Sequence, residues 1–155
     1  MLTAIPKNWY SWGFSLEGPG EQAIARLVVS GWRERGSVVV DGRTYTIRRD
    51  GRLGPFTLTA PDGSVVASAV KPSAFRREFE VSQPGAPSYV LKAVTPLRRE
   101  FVLRRDGVRV GSIAPVSWWR RRARVELAEA LPRPLEAFLV WLTLLLWKRD
   151  SEMAA

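Results

Sequence analysis

The residues best suited to chemistry in this 155-residue chain are arginines. Between positions 98 and 124 nine of them (Arg98, Arg99, Arg104, Arg105, Arg109, Arg120, Arg121, Arg122 and Arg124) stand against only Glu100 and Asp106, a local net charge of +7. The whole chain carries +9, so every other residue together contributes +2. A guanidinium binds phosphate or carboxylate in a two-pronged fashion. A concentrated positive field attracts phosphates, whether on lipid headgroups or on nucleic acid. Trp118 and Trp119 lead directly into Arg120. Neighbours on a strand point to opposite faces, so one of the two indoles can be exposed. There it would suit a bilayer interface or stack on unpaired bases. A structural reading stands beside this one: one tryptophan caps an end of the fold, and the arginines are solvated or pair with Glu126 and Glu129. GC-rich codon usage gives the same arginine excess, and only four basic residues are lysine: Lys7, Lys71, Lys92 and Lys148.

Other chemistries are closed off by composition. With neither histidine nor cysteine, the chain has no disulfide framework, zinc finger, Ser-His-Asp or Cys-His pair, or redox thiol. Carboxylate pairs occur at Glu78/Glu80 and Glu126/Glu129 and could do acid–base work. Alternation places Glu78 and Glu80 on the wet face of a strand, where solubility explains them. Gly18-Pro19-Gly20 precedes a strand instead of opening a helix, so it is no phosphate loop. No catalytic residue, metal or cofactor is expected. The N-terminal segment Met1–Lys7 lacks a positive leader and an apolar run, and a cytoplasmic location follows as the expectation.

The elements that must position these side chains are mostly strands. Asp41-Gly42, Asp50-Gly51, Asp62-Gly63 and Asp106-Gly107 mark tight turns, because this pair tolerates positive φ. Between them the sequence alternates with period two. Tyr45 and Ile47 oppose Thr44, Thr46 and Arg48; Phe56 and Leu58 oppose Thr57 and Thr59; Phe79 and Val81 oppose Glu78, Glu80 and Ser82. Phe101 and Leu103 oppose Glu100 and Arg104, with Val102 an exception on the outer face. One buried face and one wet face is the mark of antiparallel sheet. Strands are predicted near 24–30, 36–41, 43–49, 55–60, 64–70, 75–82, 88–94, 99–105, 108–114 and 121–128, with the Trp9–Leu16 segment able to supply another. So long a meander must curl or close to hide its edges. Tyr45–Gly51 and Phe101–Gly107 match at a spacing of 56, which reads either as an internal duplication or as hairpins converging on similar sequences.

Then the pattern changes. Pro132 and Pro134 suit a helix start, and from Ala137 to Trp147 there is no charge and one hydroxyl, Thr143. A helix apolar on every side is buried in a core or in a membrane. Eleven residues at ~1.5 Å each span roughly 16–17 Å, about half of a ~30 Å hydrocarbon layer. Length therefore favours burial, with a helix over about 132–148 and a short polar tail at 149–155. A membrane anchor is the alternative.

A run of antiparallel strands followed by one wholly apolar C-terminal helix resembles the tubby C-terminal-like superfamily, which includes tubby proteins, phospholipid scramblases and LURP-one-related proteins. The hairpin Phe101–Ile113, the stretch Trp118-Trp119-Arg120 and the helix Leu135–Trp147 carry the resemblance, which suggests a small stand-alone member of bacterial type. It implies a closed barrel of about 10–12 strands wrapped around a buried C-terminal helix, one domain over residues 1–155 with strands from about 9 to 128. Tubby domains bind phosphoinositide headgroups and scramblases act at membranes. The cysteine-rich and calcium-binding segments of scramblases have no counterpart here, and no tubby site residue is carried over.

The expected function is non-catalytic binding to anionic phospholipid through the nine arginines, with Trp118 and Trp119 as membrane or stacking contacts. The protein would then sit peripherally at the inner face of the membrane. Nucleic acid, an acidic protein partner and a scramblase-like membrane role are the alternatives.

Overall fold

The computed structural model describes residues 1–8, 11–30, 35–72, 76–95, 99–117 and 121–154. Local turn chemistry sets up the sheet. Val40 pairs with Arg43 around Asp41 and Gly42, whose φ values are 51° and 73°. Arg105 pairs with Val108 around Asp106 and Gly107, at 50° and 78°. Two residues at positive φ give the turn whose twist matches that of the flanking strands. The described residues form twelve strands: β1 (Leu2–Pro6), β2 (Gly13–Glu17), β3 (Ala23–Ser30), β4 (Arg35–Val40), β5 (Arg43–Arg49), β6 (Phe56–Thr59), β7 (Val65–Val70), β8 (Glu78–Gln83), β9 (Ala86–Ala93), β10 (Phe101–Arg105), β11 (Val108–Pro115) and β12 (Ala123–Leu127). Each pairs antiparallel with the next, and β1 pairs with β12, so the barrel closes and no edge is left open.

The expected strands are all present, and the alternation holds: Tyr45, Ile47, Phe56, Leu58, Phe79, Val81, Phe101 and Leu103 are buried. Strands begin earlier than expected, at Leu2 instead of about residue 9. β1 is short and ends in a proline, and its partner β12 lies at the far end of the sequence. Leu2 opposite Val125 and Ala4 opposite Ala123 seal the barrel through a contact that no local pattern announces.

The matching segments Tyr45–Gly51 and Phe101–Gly107 fall on β5 and β10, five strands apart. Strands separated by an odd number run in opposite directions, so no rotation about the barrel axis superimposes them. Their turns differ as well: Asp106-Gly107 is a two-residue hairpin, whereas Asp50 opens a longer loop closed by its backbone N–H to the Pro55 carbonyl at 3.2 Å. The two segments share hairpin sequence but not turn geometry.

The helix α1 (Arg133–Ala154) fills the barrel. Residues 135–148 are buried on all sides, so the apolar segment is core. Each fully buried Leu or Phe on it contributes ~1.5–3 kcal/mol relative to exposure. Its polar handles are satisfied. The Trp141 indole donates to the Val28 carbonyl at 2.8 Å, the Trp147 indole to the Arg99 carbonyl at 2.9 Å, and Thr143 bonds back to Leu139 at 3.1 Å. Gly36 has no side chain because Trp141 and the Val28 carbonyl occupy the space a Cβ would need. The residues expected as a polar tail continue the helix to Ala154, with Lys148 paired to Glu152 one turn on. The apolar run ends at Trp147, but nothing in Lys148–Glu152 breaks a helix. Among the described residues no helix is long and apolar enough to cross a membrane.

The two ends of the barrel differ. At one end β2–β3, β4–β5, β6–β7, β8–β9 and β10–β11 are joined by two to five residues. At the other, the mouth, connections run four to seven residues. α1 enters from the turn end and leaves through the mouth, where Arg77 pairs with Asp150 at 2.8 Å.

Candidate functional site

The nine arginines do not share one face. Arg99, Arg121 and Arg122 stand in mouth connections, and Arg124 starts the outer face of β12 beside them. Arg104, Arg105 and Arg109 flank the Asp106-Gly107 hairpin at the turn end. Along β11 the nearest members, Arg109 and Arg124 (opposite Ala114), are five residues apart, roughly 17 Å at ~3.3 Å per residue, about two Debye lengths at ~8 Å each. They form two groups, with Arg109 reaching part of the way toward the mouth, to Glu100. Arg98, Arg120, Trp118 and Trp119 lie outside the described residues, as do Trp9 and Tyr10.

Several of these side chains are already engaged. Arg105 pairs with Glu129 at 2.6 Å, and Glu129 also accepts the Tyr89 hydroxyl at 3.4 Å. Burial, helped by this carboxylate, pushes the Tyr89 hydroxyl pKa up. Arg109 lies 4.0 Å from Glu100 and Arg124 3.6 Å from Glu126. Arg104 reaches the Gly107 carbonyl at 3.4 Å. Arg121 donates to the backbone carbonyls of Ser11 and Asn8 at 2.6 and 2.5 Å, and its guanidinium lies 5.1 Å from the Trp12 ring centre. Arg99 stacks 4.3 Å from the Trp147 ring centre. Burial lowers the pKa of both guanidinium groups, with Arg77 lowering and Asp150 raising that of Arg99. These two arginines brace the mouth on the chain's own aromatics. Arg122 is exposed.

The mouth also gathers residues that the sequence order keeps apart. Its described connection residues hold eight basic side chains against Asp50 and Glu100. Among them Lys7, Arg52, Arg76 and Arg122 are exposed. The turn-end connections carry Glu21, Asp41, Asp62, Asp106 and Glu129 and no basic residue, and arginines at the ends of adjoining elements (Arg43, Arg104, Arg105, Arg109, Arg133) offset them. The net positive charge of the molecule is therefore weighted toward the mouth. Leu53 projects there, 83% exposed, beside Arg52. Its loop is fixed by the Asp50–Pro55 hydrogen bond and by Arg49 Nε donating to the Gly54 carbonyl at 3.1 Å. Val116 is 50% exposed in the β11–β12 connection, diametrically across the ring of strands. Met153, 85% exposed, ends the helix that emerges between them. None of these was singled out from sequence, because each is unremarkable until the barrel brings its loop to the same end.

A second feature lies on the side wall. A hollow of about 1010 Å³ crosses the outer faces of β8 to β11. Val102, the exception to the alternation, points outward here yet is only 6% exposed. Glu78 also departs from expectation: it faces outward but is 9% exposed, with Arg76 at 3.5 Å. The concave wall explains both. Among the described residues no cluster of acidic side chains is placed to hold a metal ion.

Compared with known proteins, the chain matches no family model, no curated protein and no solved structure.

Proposed function

We propose that this protein is a non-catalytic binding domain whose mouth docks on anionic phospholipid headgroups. One observation carries the reading: among the described residues, the end with eight basic loop residues against two acidic ones also exposes Leu53 and Val116. Each basic residue near an anionic bilayer contributes ~1 kcal/mol within a Debye length. Apolar tips reaching the acyl boundary add a term that salt does not screen. The resemblance to the tubby C-terminal-like superfamily points the same way, since a twelve-strand barrel around a C-terminal helix is the arrangement it implies. In this reading the protein is cytoplasmic, peripheral at the inner face of the membrane, and needs no cofactor.

The test is co-sedimentation with vesicles of phosphatidylcholine alone and of phosphatidylcholine mixed with phosphatidylserine. Binding is expected only to the mixed vesicles and should weaken as salt rises. Changing Lys7, Arg52 and Arg122 together to Ser should reduce it by tenfold or more (three residues at ~1 kcal/mol each) without altering the thermal transition. Equal binding to neutral vesicles would overturn the proposal. So would a salt-sensitive shift with a single-stranded oligonucleotide and none with vesicles, which would assign the mouth to nucleic acid.

A further inference from the structure

The hollow on the side wall touches the mouth at Val94 and Glu100 but has its own chemistry. The outside of a barrel is convex, so outward side chains normally meet water. Val102 and Glu78 are covered instead, and the hollow they line is at the upper end of the ~300–1,000 Å³ range of ligand sites. The strand register orders its charges. Glu80 on β8 sits opposite Val90 on β9, Val90 opposite Arg104 on β10, and Arg104 opposite Arg109 on β11. Two strand spacings of ~4.8 Å put the Glu80 and Arg104 backbones roughly 10 Å apart. No ion pair joins them among the described residues. In the next row toward the mouth, Glu78 lies opposite Lys92 and Lys92 opposite Val102. The β8 wall thus presents Glu80 and the Arg76-paired Glu78, the β10–β11 wall presents Arg104 and Arg109 with Glu100 and Asp106 at its two ends, and Val90, Val102 and Lys92 lie between them.

We infer that this hollow binds an ω-amino carboxylate, a ligand with an ammonium and a carboxylate at opposite ends of a short alkyl stem. The ammonium sits between Glu78 and Glu80, the stem covers Val90 and Val102, and the carboxylate takes the Arg104 guanidinium with Arg109 beside it. A charge-assisted pair at each end and an apolar centre match the order of the row. Arg76, paired with Glu78, and Lys92, opposite it, stand beside the β8 carboxylates, and they disfavour a diamine. A free ω-amino acid and the C-terminal lysine of a peptide share this chemistry.

The experiment is a titration of the ¹⁵N-labelled full chain with 6-aminohexanoate, followed by amide shifts. Saturable shifts are expected at Val90, Val102 and Arg104, with a dissociation constant on the order of millimolar for so small a ligand. Hexanoate and hexylamine each lack one charge and should bind about tenfold more weakly or worse. Glu80→Gln and Arg104→Gln, both on the outer surface, should cause the same loss. Nα-acetyl-lysine binding as tightly as 6-aminohexanoate would support a peptide C-terminus as the ligand; binding of 6-aminohexanoate alone would support the free acid. An absence of saturable shifts overturns the inference. So do shifts that persist unchanged with hexanoate, with hexylamine or in Glu80→Gln.

Discussion

At the turn end the chain reverses over two to five residues, and its arginines meet carboxylates: Arg105 with Glu129, Arg133 with Glu136. At the mouth it takes four to seven residues; Arg76 and Arg77 there also meet carboxylates, Glu78 and Asp150, but two further arginines meet rings and backbone carbonyls instead: Arg121 on Trp12, Asn8 and Ser11, Arg99 on Trp147. The difference follows from where the helix leaves. An end closed by glycine-bearing hairpins needs little else to hold it, whereas an end with a helix passing through needs large, flat side chains to fill the gap. Arginine stacked on tryptophan fills it and keeps a charge at the rim. The mouth is therefore built from the same residue type that the proposed headgroup binding uses. Bracing arginines and exposed arginines divide the two tasks.

The comparison assumes that both ends are tied to one core, and the harshest test removes that core. A chain ending at Ala130 loses every buried residue of α1, including Trp141 and Trp147. The loss exceeds the ~5–15 kcal/mol net stability of a typical domain. The expected product is an aggregating chain without a cooperative thermal transition. A soluble truncation with native strand content by circular dichroism would show that the barrel stands without its helix, and the contrast between the ends would need another cause.

A smaller effect separates the two kinds of arginine. Arg121→Ala strips two backbone carbonyls of their donor and removes a guanidinium stacked on Trp12, at a cost of ~2–3 kcal/mol. Arg105→Ala removes a half-exposed ion pair at the turn end, at a cost below ~1 kcal/mol. Urea midpoints of the two variants measure the gap directly. Equal midpoints would mean that mouth and turn-end arginines do the same structural work.

Much of this was readable from residues alone. Asp41-Gly42 and Asp106-Gly107 specified two hairpins, the alternation of Tyr45, Ile47, Phe56 and Leu58 specified the inner face, and Ala137–Trp147 specified a buried helix. These are local signals, in which neighbours in sequence decide the outcome. β1 was missed because only its pairing with β12 makes it a strand. The division of the arginines was implicit in the strand boundaries: a strand near 108–114 already separates Arg104, Arg105 and Arg109 from Arg121 and Arg122. Counting charge along the sequence instead of along the barrel axis hid it. Leu53 and the covered wall around Val102 depend on curvature and on which loops share an end, and neither has a local signature.

The smallest predicted effect sharpens the turn-end half of the contrast. Glu136 lies in the first turn of α1 and is nearly buried, with Arg133 donating to it at 2.9 Å. Burial raises its carboxyl pKa above the ordinary 4.5, and the Arg133 hydrogen bond and charge only partly oppose this. A raised pKa in the folded state means that the native protein holds the proton more tightly than the unfolded chain does. Acidification therefore adds stability as pH falls through the folded pKa toward the unfolded one, and this increment is absent at neutral pH. Glu136→Gln removes the buried charge and keeps a hydrogen-bonding side chain. At pH 7 the variant should be more stable by up to ~1 kcal/mol, since desolvation outweighs the lost charge-assisted bond. Below the carboxylate range the two proteins should converge. Denaturation midpoints across that range decide the matter: a variant less stable than the parent at pH 7, with the deficit vanishing on acidification, would mean that Arg133 dominates, and that the turn end is stabilised by its ion pairs after all.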